Sequence, residues 1–279
     1  MKVAILADIH GNVPSLERVA DHIEAWRPDR VVMAGDVINR GPRPMECLRF
    51  VQVKQQSDGW EVVRGNHEDY VLALARPDAP KAGPEFDIVR NAYWTYRKLD
   101  GQVAALEAMP FQVAFRSPDN QEVRAVHASM RNNRDGIYVD TPDDALRKKI
   151  KPAPAVLCVG HTHRPLIREV DQTLVVNVGS VGMPFDGDGR AGYAQLTWHR
   201  GRWQAEIVRL EYDQAAAARD FVETGFIVEA GPLAEIMYVE FQQSRSHIHR
   251  WLMTYQSRVL AGEMSIADSV RDYLSLYTQ

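Results

Sequence analysis

Short apolar runs, each the length of one buried strand, punctuate the chain at 2–7 (KVAILA), 30–35 (RVVMAG), 61–65 (EVVRG), 123–128 (VRAVHA), 155–160 (AVLCVG) and 174–179 (LVVNVG). Between the first two, Val13, Leu16, Val19, Ile23 and Trp26 fall at helical spacing, with Pro14 in the first turn, where a missing N–H does no harm. Strand and helix in alternation predict an α/β layered core. The segments 111–115 (FQVAF), 173–178 (TLVVNV), 193–198 (YAQLTW) and 202–210 (RWQAEIVRL) alternate or follow one another without helices between them. They predict antiparallel pairs, and hence mixed sheets.

Two stretches are helical instead. One is an insertion at about 68–109, with Pro77, Pro80 and Pro84 marking a loop inside it; the other is an extension over 213–279, which leaves a layered domain at 1–212. Within the extension, 213–224 reads as one helix stopped by Gly225. Ile248, Trp251, Leu252, Tyr255 and Val259 share a face of a second helix, and Ile266, Val270, Tyr273 and Leu274 a face of a third. These faces are expected to pack on the domain or on a second copy, so a homo-oligomer through the C-terminal helices is one expected arrangement. His247 and His249, among Ser244, Arg245 and Arg250, read as solvated.

Composition narrows the classes. A chain of 279 residues, 45% hydrophobic and 25% charged, has enough apolar material for a sizeable core, and its net charge of −4 offers no basic surface, so no nucleic-acid partner is expected. Cys47 and Cys158 lie in apolar contexts without paired spacing and are expected to be buried free thiols. The apolar run before Asp8 is too short for a signal-peptide core and no later run could span a membrane, which predicts a cytoplasmic protein without a membrane partner.

The polar residues that follow the apolar runs change the picture more. Asp8 and His10 (LADIHGN), Asp36 (MAGDVINRGP), Asn66 and His67 (VRGNHEDY), His127 (AVHASM), and His161 and His163 (VGHTHRP) sit where strands end, which is where open α/β sheets place their ligands. Any one of them alone would be a satisfied structural residue or a turn. Five such segments, each flanked by small residues, describe a site.

In this order D-x-H, G-D, G-N-H-E, H and G-H-x-H resemble the motifs of the calcineurin-like metallophosphoesterases, from Lys2 to about Trp198. The stretches 177–194 (NVGSVGMPFDGDGRAGYA) and GDVINRGPRP, and the helical insertion before MPFQVAF, are similar to the family's small bacterial and archaeal phosphodiesterase branch. The resemblance implies two packed mixed β-sheets flanked by helices, a four-layer αββα arrangement. It also implies a phosphoester hydrolase with two divalent metal ions. Asp8, His10, Asp36 and His163 would hold one; Asp36, Asn66, His127 and His161 would hold the other, with Asp36 bridging. Manganese is the expected metal, and iron, zinc, nickel and cobalt suit the same nitrogen and oxygen donors.

Two such ions clamp the attacking and leaving oxygens of an in-line displacement, with a hydroxide between them as nucleophile. His67 would then be the general acid. Arg40 and Arg131 follow Asp36 and His127 closely enough to face a phosphate, and Asn39 joins them on the substrate side. Asn39 also departs from the pattern, because many phosphomonoesterases and protein phosphatases of the family carry aspartate there. An amide hydrogen-bonds the His67 ring but does not stabilise an imidazolium as a carboxylate does. The expected activity is therefore that of a phosphodiesterase on a small nucleotide-type or activated phosphoester. The alternatives are a phosphomonoesterase or protein phosphatase, a dinucleoside polyphosphatase, a cyclic-nucleotide phosphodiesterase, a non-catalytic scaffold and a nuclease. The acidic net charge disfavours the last, and intact His67 with a full ligand set disfavours the scaffold.

Overall fold

The computed structural model describes residues 1–277. Its strands form two five-stranded mixed sheets. The first has the order β10 (Arg202–Leu210), β9 (Ala191–His199), β1 (Lys2–Leu6), β2 (Arg30–Met33), β3 (Glu61–Val62); β1 to β3 are parallel, and β9 runs antiparallel to both β1 and β10. The second has the order β4 (Gln112–Arg116), β5 (Glu122–Val126), β6 (Val156–Val159), β8 (Thr173–Asn177), β7 (Leu166–Val170), with β5, β6 and β8 parallel and an antiparallel strand on each edge.

The period-two alternation of each strand divides its side chains between two layers. Val3, Ile5, Val32 and Val63 of the first sheet meet Val123, Ala125, Val156, Cys158 and Val176 of the second in one buried cluster. Ala4, Leu6 and Met33 turn the other way, onto Leu16 and Val19 of α1 (Val13–Trp26) and Leu48 of α2 (Pro44–Asp58). On the far side of the second sheet, Leu157, Val159 and Val175 pack with Ile150 and with Leu146 of α6 (Asp143–Lys149). This is the expected αββα stacking.

The insertion comprises α3 (Asn66–Leu74), α4 (Pro84–Lys98) and α5 (Val103–Glu107), with the proline-marked break between the first two. The C-terminal helices are α7 (Gln214–Glu223), α8 (Phe226–Glu229), α9 (Leu233–Gln243), α10 (Ile248–Leu260) and α11 (Ile266–Tyr277). The Asp213 side chain caps α7 by accepting the Ala216 N–H at 2.8 Å, and Gly225 follows its end in the left-handed conformation. Three elements, α2, α6 and β7, had no counterpart in the hydrophobic pattern, and α8 and α9 were covered only by the general helical reading of the extension. In α2, for instance, an exposed Val53 blurs the stripe formed by Met45, Leu48 and Val51.

The apolar faces of α10 and α11 are covered within the chain. Trp251, Tyr255, Val259, Ile266, Val270 and Tyr273 share a core with Phe221, Phe226 and Met237, and this core reaches Trp94 of α4 and Met183 and Phe185 of the β8–β9 loop. One expectation is corrected here. His247 is buried, not solvated: its ring nitrogens meet Tyr273 Oη at 2.9 Å and Gln243 Oε1 at 3.0 Å, because the turn into α10 folds it under α11. His249 is exposed. Cys47 and Cys158 are buried and unpaired, and no helix among the described residues is long and apolar enough to cross a membrane.

Trp251 is fully buried and donates its indole N–H to Ser269 Oγ at 3.1 Å. Trp251→Ala is expected to lower the unfolding free energy by ~3–5 kcal/mol, the usual cost of such a cavity. Chemical denaturation checks this; a loss under about 1 kcal/mol would mean that the C-terminal core contributes little to the cooperative unit.

Candidate metal centre

Every parallel strand of the first sheet, and two of the second, end in the same place. Asp8 and His10 follow β1, Asp36 follows β2, Asn66 opens α3 after β3, His127 follows β5, and His161 and His163 follow β6. The loops lock to one another through main-chain bonds: His10 N–H donates to Asp36 O at 3.1 Å, Gly160 N–H to His127 O at 2.8 Å, and Phe185 N–H to His163 O at 3.0 Å. Close approach depends on the glycines. A Cβ on Gly65 would lie 2.1 Å from Asp36 Oδ1, and one on Gly160 would lie 2.5 Å from Asp8 Oδ2.

The backbone is strained at this point. Of 13 non-glycine residues with left-handed φ among the described residues, seven are Asp8, His10, Asp36, Asn39, Arg40, His161 and His163. Each costs conformational energy that the surrounding bonds must hold, which is characteristic of functional sites.

Carboxylate and imidazole atoms gather in two adjoining groups, Asp8–His10–His163 and Asp36–His127–His161, with ligand atoms inside each within 4.8 Å of one another. His161 and His163, two residues apart, thus fall in different groups. Asp36 adjoins both, its Oδ2 lying 3.7 Å from His10 Nε2 and 3.2 Å from His127 Nε2. Asn66 Oδ1 lies 2.8 Å from both His127 Nε2 and His161 Nδ1.

The ring tautomers decide what this gathering can hold. A carbonyl oxygen only accepts, so a ring nitrogen bonded to one must carry the proton. His10 Nδ1 donates to Asn39 O at 3.1 Å, His127 Nδ1 to Ala34 O at 2.8 Å, His163 Nδ1 to Met183 O, and His161 Nε2 to Arg134 O at 3.1 Å. In the neutral rings the opposite nitrogens carry lone pairs, and they point at one another. His10 Nε2 and His163 Nε2 are 3.1 Å apart, while His127 Nε2 and His161 Nδ1 converge on the Asn66 carbonyl oxygen. Asp8 Oδ1 is buried with no hydrogen-bond partner. So many acceptors without donors require a positive charge among them, and a nitrogen–oxygen donor set of this kind fits a divalent transition metal.

The protonation behaviour of these side chains agrees. Burial holds His10 and His163 well below the usual imidazole range and pushes His161 down to about 4. Burial also drives Asp8 well above the usual carboxylate range. Burial opposes the charge on His127 too, but Asp36 overrides it and lifts that ring to about 10, so a proton can stand in for a cation there. Asp36, despite its own burial, is held well below the carboxylate range by His127 and His67.

A third group, His10–Asp36–His67, is also close enough to count, but hydrogen bonding sets His67 apart. The Asn39 oxygen accepts from Asn91 Nδ2 at 3.1 Å and Thr95 Oγ1 at 3.3 Å, both on α4, so the Asn39 amide turns its NH2 toward His67 Nδ1 at 2.9 Å. His67 Nδ1 then accepts, and Nε2 carries the proton as a donor. Burial, reinforced by Arg40, pushes the ring down to about 3 even against the pull of Asp36. Its backbone N–H bonds Asp36 Oδ1 at 2.9 Å.

The two arginines differ. Arg40 is mostly buried beside the site and ion-pairs with Glu240. Arg131 is exposed, 3.3 Å from Asp135, and among the described residues has no contact with the histidine–aspartate groups.

Sequence reasoning passed over several supporting residues. Glu68 accepts N–H groups of Gly65, Asp36, Val37 and Ile38 and so ties the β2 and β3 loops together; burial pushes its carboxyl up to about 7. Its place three residues after Gly65 was a readable capping signal. Asn91 and Thr95, polar residues four apart on the buried face of α4, were another.

Comparison with known proteins agrees with this architecture. The family model of the calcineurin-like phosphoesterase superfamily domain matches residues 1–201. A metallophosphoesterase from Sphaerobacter thermophilus superposes with a TM-score of 0.67 at 26% identity, covering 88% of this chain and all of that one. An uncharacterized protein of Methanocaldococcus jannaschii is 24% identical over 79% of this chain and 92% of its own length. A symmetrical bis(5'-nucleosyl)-tetraphosphatase of Vibrio parahaemolyticus is 35% identical, but only over 31% of this chain and 34% of its own. The chain belongs to the calcineurin-like phosphoesterase superfamily, metal-dependent hydrolases of phosphoester bonds.

Proposed function

We propose that this chain is a phosphodiesterase that binds two divalent metal ions and hydrolyses a small nucleotide-type or otherwise activated phosphoester. The observation that carries the reading is the convergence of lone pairs from His10 and His163 on one side, and from His127, His161 and Asn66 on the other, around the shared Asp36 carboxylate. Asp8, His10, Asp36 and His163 would hold one ion; Asp36, Asn66, His127 and His161 the other. Once bound, the ions would supply Lewis acidity and a nucleophile at neutral pH. The chain supplies the rest. Carbonyls behind the rings hold them in the ligating tautomer, and His67 offers its Nε2–H to the leaving oxygen. Arg40 offers N–H groups to the phosphoryl oxygens.

The amide of Asn39 supports the preference for activated esters. It fixes His67 as a neutral donor, which assists departure of a weakly basic oxygen but gives little help to an alkoxide. A second reading, hydrolysis of dinucleoside polyphosphates, draws on the short similarity to the Vibrio tetraphosphatase; the leaving group there is also weakly basic.

The test is a panel of diesters, monoesters, nucleoside polyphosphates and cyclic nucleotides, assayed on protein whose metal content is measured. Aryl or nucleotide diesters should be cleaved fastest, and equal rates on simple alkyl monoesters would refute the preference. Asn39→Asp should raise the rate on alkyl relative to aryl esters by about tenfold, since a carboxylate stabilises the imidazolium. Metal analysis adds an independent check: His163→Ala and His161→Ala should each lose about one metal equivalent per chain, and from different sites, as would be seen with two spectroscopically distinct metals. Loss of both ions from either variant, or of neither, would contradict the assignment.

A further inference from the structure

The family match ends at residue 201, yet the site draws on a residue well beyond it. Glu240 lies on α9, fully buried, among Leu233, Ile236 and Met237 of the C-terminal core. One of its oxygens, Oε2, pairs with the Arg40 guanidinium; the other, Oε1, accepts the backbone N–H groups of His247 and Ile248 at 2.6 and 2.7 Å, at the start of α10. A carboxylate fastened to the first N–H groups of a helix is a fixed point, and here the arginine is the group being held.

Arg40 is confined on a second side as well. Its guanidinium carbon lies 5.4 Å from the Phe185 ring centroid, and Phe185 stacks on His163 with centroids 4.3 Å apart and planes 8° from parallel. Glu240 is its sole carboxylate partner among the described residues, and its buried Nε has no acceptor from the protein. A guanidinium clamped at one N–H and set over a ring keeps its other donors in a set geometry, which suits a planar fork to phosphoryl oxygens.

We propose that Glu240 is a positioning residue for phosphate recognition: the C-terminal extension completes the active site by holding Arg40 against Phe185, with its remaining N–H donors directed to the substrate phosphate. This rests on Arg40 contacting the phosphate, as read above.

The test uses the full chain loaded with manganese, bis(p-nitrophenyl) phosphate as substrate, and inorganic phosphate binding measured by calorimetry. Glu240→Gln keeps the acceptor for the α10 N–H groups and removes the charge that holds Arg40. It should raise both KM and the phosphate dissociation constant by about tenfold, with metal content unchanged and kcat less affected. Arg40→Ala should show a similar loss, and the double variant should be within about twofold of Arg40→Ala, as expected for residues acting as a unit. Glu240→Asp should recover part of the affinity.

If Glu240→Gln lowers the melting temperature but leaves KM and phosphate binding within twofold of the parent while Arg40→Ala is impaired, Glu240 is structural only and the proposal fails. Full additivity in the double variant would also refute it. An unimpaired Arg40→Ala would refute both the arginine's role and this proposal. If the parent protein cleaved no phosphoester yet bound phosphate through Arg40 and Glu240, the catalytic reading would fall and the positioning role would stand.

Discussion

Asp36→Asn is expected to lower kcat/KM on any phosphoester by on the order of a thousandfold or more, since outer-shell partners of metal ligands alone cost 10–100-fold and this residue adjoins both groups. Its carboxylate is buried, with Oδ2 between His10 and His127 and Oδ1 receiving the His67 N–H. An asparagine is nearly isosteric and could keep the hydrogen bond from His67, so the loop should survive. What it removes is the negative charge that lifts His127 to about 10 and that would draw two cations into one pocket. Steady-state kinetics with metal analysis check this. The variant should bind at most one ion tightly, and a variant holding two ions with near-parental rates would rule out a bridging role.

The second large effect separates ligand from proton donor. His67→Ala should reduce kcat by about 10²–10⁴-fold, the range of general-acid contributions, while metal content stays at the parental level. The tautomer argument makes the two parts of this result independent. Asn91 and Thr95 orient Asn39, and Asn39 donates to His67 Nδ1, so the ring's other nitrogen carries a proton and cannot also be a lone-pair ligand. The loss should show on p-nitrophenyl or nucleotide esters and be smaller on alkyl esters, to whose basic leaving oxygens a neutral donor gives little help. Loss of a metal equivalent in this variant would place His67 among the ligands and move the acid role elsewhere.

The site was more legible along the chain than the fold around it. Asp8, His10, Asp36, Asn66, His127, His161 and His163 each stand directly after an apolar run, and a strand that ends at the rim of a layered sheet must deliver the next residues there. The apolar runs predicted a layered α/β core with mixed sheets, whereas the two packed layers were implied by the family resemblance, because Val3, Ala4, Ile5 and Leu6 are all apolar and nothing in the run tells one face from the other. Helix α9 and strand β7 left weaker traces. In α9 apolar residues lie on most sides of the helix, so no single stripe stands out, and β7 is a short edge strand paired only with β8.

Residue types and their order along the chain were thus enough to mark a site of nitrogen and oxygen donors at five strand ends, and their resemblance to a known family named the chemistry and the amide where a carboxylate is common. They could not say which ring nitrogen faces inward, because that depends on carbonyls of Ala34, Asn39, Arg134 and Met183, brought up from distant segments. Nor could they mark Glu240, an ordinary helical glutamate 200 residues from Arg40, as the partner of that arginine. Local pattern reports how a segment divides its faces between core and solvent. Hydrogen-bond partners across loops are set only when packing has closed the chain on itself, and here those partners decide the tautomers, the clamp on Arg40 and the proton on His67.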